Sequence, residues 1–382
     1  MIINRSLPIT PLGQSFSRMR QQPPHCHEIA ARFAIAHPLG AIEPLGRGLI
    51  NDTFSLDAGG QRYVLQRING AVFPAPERIM ANLRVLGAHL AERADTGLRL
   101  PSLIATREGG DFLRDADGAI WRLMEFIPNA VTLTRIEHDA QAREVGAVLG
   151  RFHRLAASLH SERLALSLPG FHATPEYLTR FLAVAGQEAR QEGQAIRDCL
   201  DFVLERRGLA DVLEAAQASG AIPLRVTHGD PKLDNILFAR DGGHALALID
   251  LDTVQPGLIQ HDLGDCLRSC CNRGGEGTRD PAGVRFDMTL CAGILAGYAN
   301  ETRGVLAQAD IDLLYDAIRL MPFELGLRFL TDHLEGDRYF RIDEPGQNLR
   351  KARIQFALVA EIERQEEALR VLIATCFAHA LN

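Results

Sequence analysis

A chain of 382 residues with 46% hydrophobic and 23% charged side chains has the composition of a globular protein and is long enough for two domains. Its net charge of −7 is spread along the chain and offers no basic stripe of the kind that binds nucleic acid. No stretch approaches the roughly 20 apolar residues that span a bilayer, so we expect a cytoplasmic protein without a membrane partner.

The first 36 residues are predicted to form an irregular arm and a short helix. Residues 1–24 mix Arg, Gln, Ser and Pro and have no continuous apolar run of the kind found in a signal peptide. Residues 25–36 have a helical composition, which Pro38 ends. The seven scattered cysteines include no CxxC pair, which fits a reducing compartment.

Short apolar runs separated by turn residues predict a β-rich lobe over residues 37–127. The runs that flank Gly59-Gly60 and Asp117-Gly118 are typical of β-hairpins. One helix, predicted over residues 76–92, interrupts the strands, because its apolar residues recur at helical spacing.

Residues 128–382 are predicted to be mainly helical, with one hairpin inserted over residues 224–256. The predicted helices cover about 137–160, 175–186, 188–206, 208–219, 285–302, 308–334 and 348–380. The fold class is therefore α+β, with a β-rich N-terminal lobe and a helical C-terminal lobe. Ligand clefts favour such lobe junctions.

The inserted hairpin carries the strongest chemical signal, THGDPKLDNILF over residues 227–238 followed by LIDLD over 248–252. Phosphoryl transfer needs a carboxylate that orients a hydroxyl and accepts its proton, and hard oxygen ligands for Mg²⁺. Asp230 and Asn235 lie on one loop, and Asp250 follows an apolar strand. Ordinary turn chemistry explains each residue singly, but not this order.

These segments resemble the catalytic loop and metal-binding aspartate of the aminoglycoside phosphotransferase and choline kinase superfamily, whose fold is protein-kinase-like. Further runs resemble its N-acetylhexosamine 1-kinase branch. They are GLINDTF at 48–54, YVLQRIN at 63–69, IDLDTV at 249–254, ELGLRFLTD at 324–332 and GDRYF at 336–340.

The resemblance implies an ATP- and Mg²⁺-dependent kinase for a small molecule, with the anomeric hydroxyl of an N-acetylhexosamine as the expected acceptor. Asp230 would be the catalytic base, and Asn235 and Asp250 would bind Mg²⁺. Asp252 would be a further ligand of the metal or of a polar network, and His228 would brace the loop.

On the nucleotide side, Gly46 and Gly48, ahead of Thr53, are a candidate loop over the phosphates, although an ordinary hairpin turn explains a lone GxG equally well. Arg67 stands on the strand where kinases keep a phosphate-binding lysine, and alternation puts Gln66 on the opposite face.

Two further positions complete the kinase pattern on this side. Glu77, at the start of the next helix, is a candidate partner for the basic residue, or a complement to the helix dipole. The backbone of Glu125 and Ile127, in the run before Pro128, would bind adenine as a kinase hinge does.

On the acceptor side, Arg328 and Tyr339 match positions that contact the sugar in the branch. Arg268 is a further candidate contact, with a salt bridge to Asp262 or Asp265 as the alternative. Leu49 replaces the histidine of the branch, so one hydrogen bond to the sugar is missing, and an acceptor other than N-acetylglucosamine or N-acetylgalactosamine stays open. Two alternatives stay open: a kinase for an aminoglycoside or amino-alcohol, and a kinase-like binding protein without activity.

Overall fold

A computed structural model describes residues 25–46, 50–93, 97–186, 193–275 and 278–378. The expectations for the N-terminal arm, Gly48 and Leu49 lie outside these ranges.

The first lobe is an antiparallel sheet built from the predicted hairpins. Its strands are β1 (Leu39–Pro44), β2 (Asp52–Ala58), β3 (Gln61–Arg67), β4 (Leu103–Ile104), β5 (Leu113–Arg114) and β6 (Ile120–Glu125). The order is β1-β2-β3-β6-β4, and β5 also pairs with β6. Gly59 and Gly60 turn β2 into β3 at φ of +57° and +79°, a conformation that glycine adopts without strain. Both predicted hairpins are confirmed.

One face of this sheet is covered by α1 (Cys26–Ala31), which is shorter than the predicted helix over 25–36. Cys26, Phe54 and Trp121 are buried together with it in one apolar cluster. The indole N–H of Trp121 donates to Asp115 at 2.7 Å, so the buried ring keeps a polar partner. The short N-terminal helix is thus part of the first lobe.

The helix α2 (Glu77–Ala91) occupies the predicted position and connects the lobes. The amide of Asn82 donates to the carbonyls of Ala165 and Val254, both at 2.8 Å, and its oxygen accepts from the Ala165 N–H. Glu77 is exposed in the first turn. Asn82, not Glu77, therefore links this helix to the second lobe.

The second lobe is helical, as predicted. Its helices are α3 (Asp139–Ala156), α4 (Thr174–Val184), α5 (Gln194–Arg206), α6 (Val212–Ala218), α7 (Ile259–Cys270), α8 (Met288–Glu301), α9 (Gln308–Asp312), α10 (Leu314–Leu334), α11 (Gln347–Arg364) and α12 (Glu366–Phe377). The helix α7 was missed. Among the described residues, no helix combines the length and apolar character needed to cross a membrane.

The inserted hairpin consists of β9 (Ile236–Ala239) and β10 (Ala245–Leu248). A strand that the sequence did not predict, β7 (Ala130–Thr132), extends it to three strands in the order β10-β9-β7. The short strands β8 (Arg225–Thr227) and β11 (Gln255–Gly257) pair antiparallel. This pairing holds the start of the segment 227–238 next to the residues that follow the segment 248–252.

Glycines allow α3 and α8 to cross in close contact. A Cβ atom on Gly146 would overlap the Ile294 carbonyl oxygen, and one on Gly297 would overlap the Arg143 carbonyl oxygen. Backbone atoms cannot move aside as a flexible side chain can, so this crossing requires glycine.

Gly146→Ala is expected to lower the free energy of unfolding by about 3 kcal/mol, the upper end for overpacking a core. Gly87→Ala, in the exposed part of α2 where a Cβ meets nothing within 4 Å, is the matched control and should raise stability by about 0.5–1 kcal/mol. Urea denaturation measures both. A Gly146→Ala protein as stable as the control would contradict this account of the crossing.

Candidate active site

The loop that carries Asp230 is held by a buried carboxylate on α7. The backbone N–H groups of His228 and Gly229 donate to the two oxygens of Asp262 at 2.7 and 2.8 Å. His153 Nε2 also lies 2.9 Å from Asp262 Oδ2. Burial alone would raise the pKa of Asp262, but these hydrogen bonds hold it below its usual value. Asp262 therefore stays charged and fixes two consecutive peptides.

Gly229 has a conformation and surroundings that exclude other residues. Its φ is +86°, and a Cβ would come within 2.7 Å of Thr253 Cβ and 2.9 Å of the Thr253 carbonyl oxygen. The Thr253 hydroxyl donates to the His228 carbonyl at 2.7 Å. The residue before Asp230 is thus packed directly against the second catalytic segment.

His228 has the hydrogen bonds of a bracing residue. Its Nδ1 accepts from the Asp230 N–H at 3.3 Å, so the proton is on Nε2, which lies 3.1 Å from the Ile249 carbonyl. Burial lowers the pKa of His228, so the ring is neutral. The ring ties the loop to the residue before Asp250.

Asp230 and Asn235 are brought together as predicted. The Asn235 amide donates to the Asp230 carbonyl at 2.8 Å and to its carboxylate at 3.1 Å. Lys232 Nζ donates to the same carboxylate oxygen at 2.6 Å. Burial raises the pKa of Asp230, an effect that the neighbouring Lys232 opposes. Because the Asn235 N–H groups face Asp230, the Asn235 Oδ1 faces away from it.

Asp250 follows β10 directly and has a left-handed backbone, with φ +61° and ψ +55°. Its side chain is reached by solvent, yet poor hydration in the cleft and the charges of Asp252 and Asp230 raise its pKa to about 7. Carboxylates gathered in this way favour a cation.

Oxygen donors from Asp250 and Asn235 are the ligands that Mg²⁺ takes in phosphotransferases, with phosphate oxygens and water completing its shell. Among the described residues, no group of three His, Cys, Asp or Glu side chains is arranged to hold a metal. The donor set thus fits Mg²⁺ shared with a nucleotide better than a metal bound by protein alone.

Asp252 has the network role that was one of its two expected roles. It is buried, its Oδ2 accepts from the Asn51 amide at 2.6 Å, and its Oδ1 pairs with Arg122 Nη2. Arg122 Nε and Nη2 also donate to Gln66 Oε1 at 2.9 and 2.6 Å. Both carboxylate oxygens are used by donors from the first lobe, so Asp252 joins the lobes and is a poor candidate for a metal ligand.

Arg67 is not near these residues, so the expectation for its position was wrong. It pairs with Trp121 on the face that packs against α1, near enough to Cys26 and Asp115 to affect their pKa values. Gln66 faces the cleft instead, and Arg122 lies beside it on β6. Arg122 is the one charged residue in the run Ile120–Met124 of β6, which is the signal that sequence reasoning missed.

The other residues expected to bind the nucleotide lie on β2, on β6 and in the loops that follow β1 and β6. Leu45 N–H donates to the Thr53 carbonyl at 2.9 Å, so Gly46 begins a hairpin loop between β1 and β2. The Thr53 hydroxyl accepts from Gln66 Nε2 at 3.0 Å. Glu125 ends β6, with its N–H donating to the Ser102 carbonyl, and Ile127 is buried just beyond it.

On the acceptor side, the structure brings Arg328 and Tyr339 together. The Arg328 guanidinium lies 5.2–5.6 Å from the ring centres of Phe171, Tyr177 and Phe340. Tyr339 is 53% exposed, and its N–H donates to Asp332 at 2.7 Å. A fixed guanidinium beside an exposed phenol can recognise hydroxyl or acyl oxygens.

Two roles were expected for Arg268, a substrate contact and a salt bridge, and the structure shows the salt bridge. It is buried, and its Nε donates to Asp265 Oδ1 at 2.6 Å in an i,i+3 ion pair on α7.

A buried ion pair connects the acceptor side to the catalytic loop, and the sequence did not reveal it. His172 Nδ1 is 2.9 Å from Glu324 Oε1, and its Nε2 is 3.0 Å from the Gly229 carbonyl. Both nitrogens face acceptors, so both carry protons. Burial would lower the pKa of His172, but Glu324 raises it to about 9. Arg328 Nη1 lies 3.9 Å from the same Glu324 oxygen.

A β-rich lobe, a helical lobe and a catalytic hairpin at their junction define a protein-kinase-like fold. An aminopropanol kinase structure aligns with a TM-score of 0.63, 16% identity and coverage of 90% of this chain and 97% of that one. An aminoglycoside phosphotransferase from Alicyclobacillus acidocaldarius subsp. acidocaldarius DSM 446 aligns with a TM-score of 0.56, 17% identity and coverage of 94% and 97%. These likenesses confirm the predicted fold class.

The sequence itself shows the family. The chain belongs to the phosphotransferase enzyme family, whose model matches residues 41–301. A homoserine kinase from Caulobacter sp. (strain K31) is 25% identical over 295 residues, which are 77% of this chain and 80% of that protein. The protein is a small-molecule phosphotransferase, as predicted.

Asp252→Ala is expected to lower the free energy of unfolding by about 3–5 kcal/mol, because it leaves Arg122 as a buried unpaired cation. The double variant Arg122→Leu/Asp252→Leu should lose less, since no charge is stranded. Asp57→Ala, which breaks an exposed pair with Arg62, is the control and should change little. Urea denaturation compares them. A double variant less stable than Asp252→Ala would contradict this role.

Proposed function

We propose that this phosphotransferase uses ATP and Mg²⁺ to phosphorylate a sugar hydroxyl, namely the anomeric hydroxyl of an N-acetylhexosamine. The observation that carries the proposal is that Asn235 is hydrogen-bonded to Asp230 and that Asp250 lies near enough for the Asp230 charge to raise its pKa. Arg328 is connected to the same loop through Glu324 and His172.

Asp230 is the proton acceptor in this mechanism. Its carboxylate is fixed by Asn235 and Lys232 and orients the attacking hydroxyl towards the γ-phosphate. As the phosphoryl group transfers, Asp230 takes the hydroxyl proton, and its raised pKa makes it a better base than an exposed aspartate. Magnesium held by Asn235 and Asp250 would neutralise charge on the triphosphate.

Nucleotide binding is assigned to the cleft face of the first lobe. Gly46 and Thr53 border the β1–β2 loop over the phosphates, and the backbone of Glu125 and Ile127 would bind adenine. In this proposal Arg122 replaces the expected Arg67 as the nearby cation, since it is beside Gln66 and Asp252.

Acceptor binding is assigned to Arg328 and Tyr339. The Arg328 guanidinium lies among the rings of Phe171, Tyr177 and Phe340, and its N–H donors can bind hydroxyl or acyl oxygens of the acceptor. This arrangement, with the resemblance to the N-acetylhexosamine 1-kinase branch, supports a sugar.

A second candidate acceptor is an amino-alcohol. The aminopropanol kinase structure favours it, since that protein is named for an amino-alcohol, and the homoserine kinase relative is named for an amino acid that carries both an amine and a hydroxyl group. A cationic acceptor would have to lie close to Arg328, which counts against it.

A coupled ADP-release assay over N-acetylhexosamines, other hexoses, aminoglycosides, homoserine and choline tests the proposal. We expect the highest kcat/KM with an N-acetylhexosamine. Asp230→Asn should fold and lose about 10²–10⁴-fold in kcat, because the hydroxyl proton then has no acceptor. Asp234→Asn, an exposed change in the same loop, is the matched control and should retain activity.

Two results would contradict the proposal in different ways. Wild-type turnover in Asp230→Asn would exclude Asp230 as the base. Turnover with choline or homoserine but with no sugar would leave the phosphotransferase intact and reject the sugar acceptor.

A further inference from the structure

Two side chains near His172 each have one buried polar atom without a hydrogen-bond partner. His261, on α7, is 6% exposed, and its Nε2 is buried and unpaired. Glu214, on α6, has a buried and unpaired Oε2, and its Oε1 lies 3.9 Å from His261 Nε2. That separation is too long for a direct hydrogen bond. An unmade buried hydrogen bond costs roughly 1–3 kcal/mol, so this pair calls for a partner.

The pair lies on the acceptor side of the catalytic loop. The His261 ring centre is 5.1 Å from that of His172, which contacts both the Gly229 carbonyl and Glu324. Glu324 in turn neighbours Arg328. The His172 side chain thus lies between His261 and the Gly229 carbonyl. It also connects His261, through Glu324, to the residues assigned to acceptor binding.

The charges around the pair partly balance one another. Burial lowers the pKa of His261 to about 3 and raises that of Glu214 to about 7, so the imidazole is neutral and the carboxyl titrates near neutral pH. His172 and Arg328 are cations beside them, and Glu324 is an anion that lies close to both. An uncharged hydroxyl group therefore needs no counter-ion here.

A hydroxyl group has the hydrogen-bonding capacity that this gap requires. Its O–H can donate to Glu214 while its oxygen accepts from a nitrogen of His261, with about 2.8–3.0 Å to each. Glu214 Oε1 and His261 Nε2 are 3.9 Å apart, so one oxygen can satisfy both distances at once and give the unpaired His261 Nε2 its partner.

We propose that Glu214 and His261 form a subsite for a second hydroxyl of the acceptor, remote from the one that is phosphorylated. The acceptor is then a polyhydroxylated molecule of hexose size. This inference rests on the proposed kinase function and specifies its acceptor class.

The experiment compares acceptor KM, ATP KM and kcat in the full-length protein by ADP release with N-acetylglucosamine and N-acetylgalactosamine. Glu214→Gln and His261→Phe should each raise the acceptor KM about ten-fold and leave the ATP KM within about two-fold, since one hydrogen bond to the acceptor is lost. Glu367→Gln and His160→Asn, both exposed and distant, are the matched controls.

Deoxy analogues of the same sugars identify the hydroxyl concerned. We expect one deoxy position to raise KM with the wild type but to add no further penalty in Glu214→Gln, because the two changes remove the same contact. Circular dichroism checks folding, and Glu214→Asp or His261→Asn replaces a variant that does not fold.

The outcomes separate this inference from the function on which it rests. Folded Glu214 and His261 variants with unchanged acceptor KM would overturn the subsite, as would additive penalties for every deoxy analogue. Wild-type activity confined to homoserine or choline would overturn the acceptor class and leave the kinase. No turnover with any acceptor would reject the proposed function, and the subsite with it.

Discussion

The carboxylate of Asp262 determines where Asp230, the proposed catalytic base, can lie. The segment around Asp230 is neither helix nor strand, so its buried N–H groups need partners from elsewhere. Asp262 accepts two consecutive N–H groups, and His153 holds Asp262 in turn. Since α7 packs against α10, the position of the loop follows from the packing of the helical lobe. The base is therefore placed by a rigid element although it belongs to a loop.

A second buried carboxylate, Asp252, joins the lobes across the cleft. Its partners Asn51 and Arg122 belong to the first lobe, and Asp250 lies two residues before it. A buried ion pair is weak evidence for stability, because desolvation offsets much of the attraction. We interpret the pair as an alignment of the two lobes: it fixes the position of the first-lobe sheet relative to Asp250, and the proposed nucleotide site lies between them.

Local features were predictable from the sequence and long-range partners were not. The spacing of Asp230 and Asn235 is local, and the two hairpins follow from their turn residues. The alternation along β3 predicted that Gln66 and Arg67 lie on opposite faces of the strand, but it did not tell which face borders the cleft. The two residues were therefore assigned to the wrong faces. His172 meets Glu324 across 152 residues, and no periodicity reports such a pair. The helix α7 was missed because its buried face carries polar residues, Asp262 among them, that obscure the apolar pattern.

A crystal structure with Mg²⁺ and a non-hydrolysable ATP analogue tests the central claim most directly. The account predicts one metal bound by Asn235 Oδ1 and the Asp250 carboxylate, with the Asp230 carboxylate facing the γ-phosphate and Asp252 still paired with Arg122. Electron density that places the nucleotide outside the lobe junction, or the metal on Asp252 without Asn235, would contradict it.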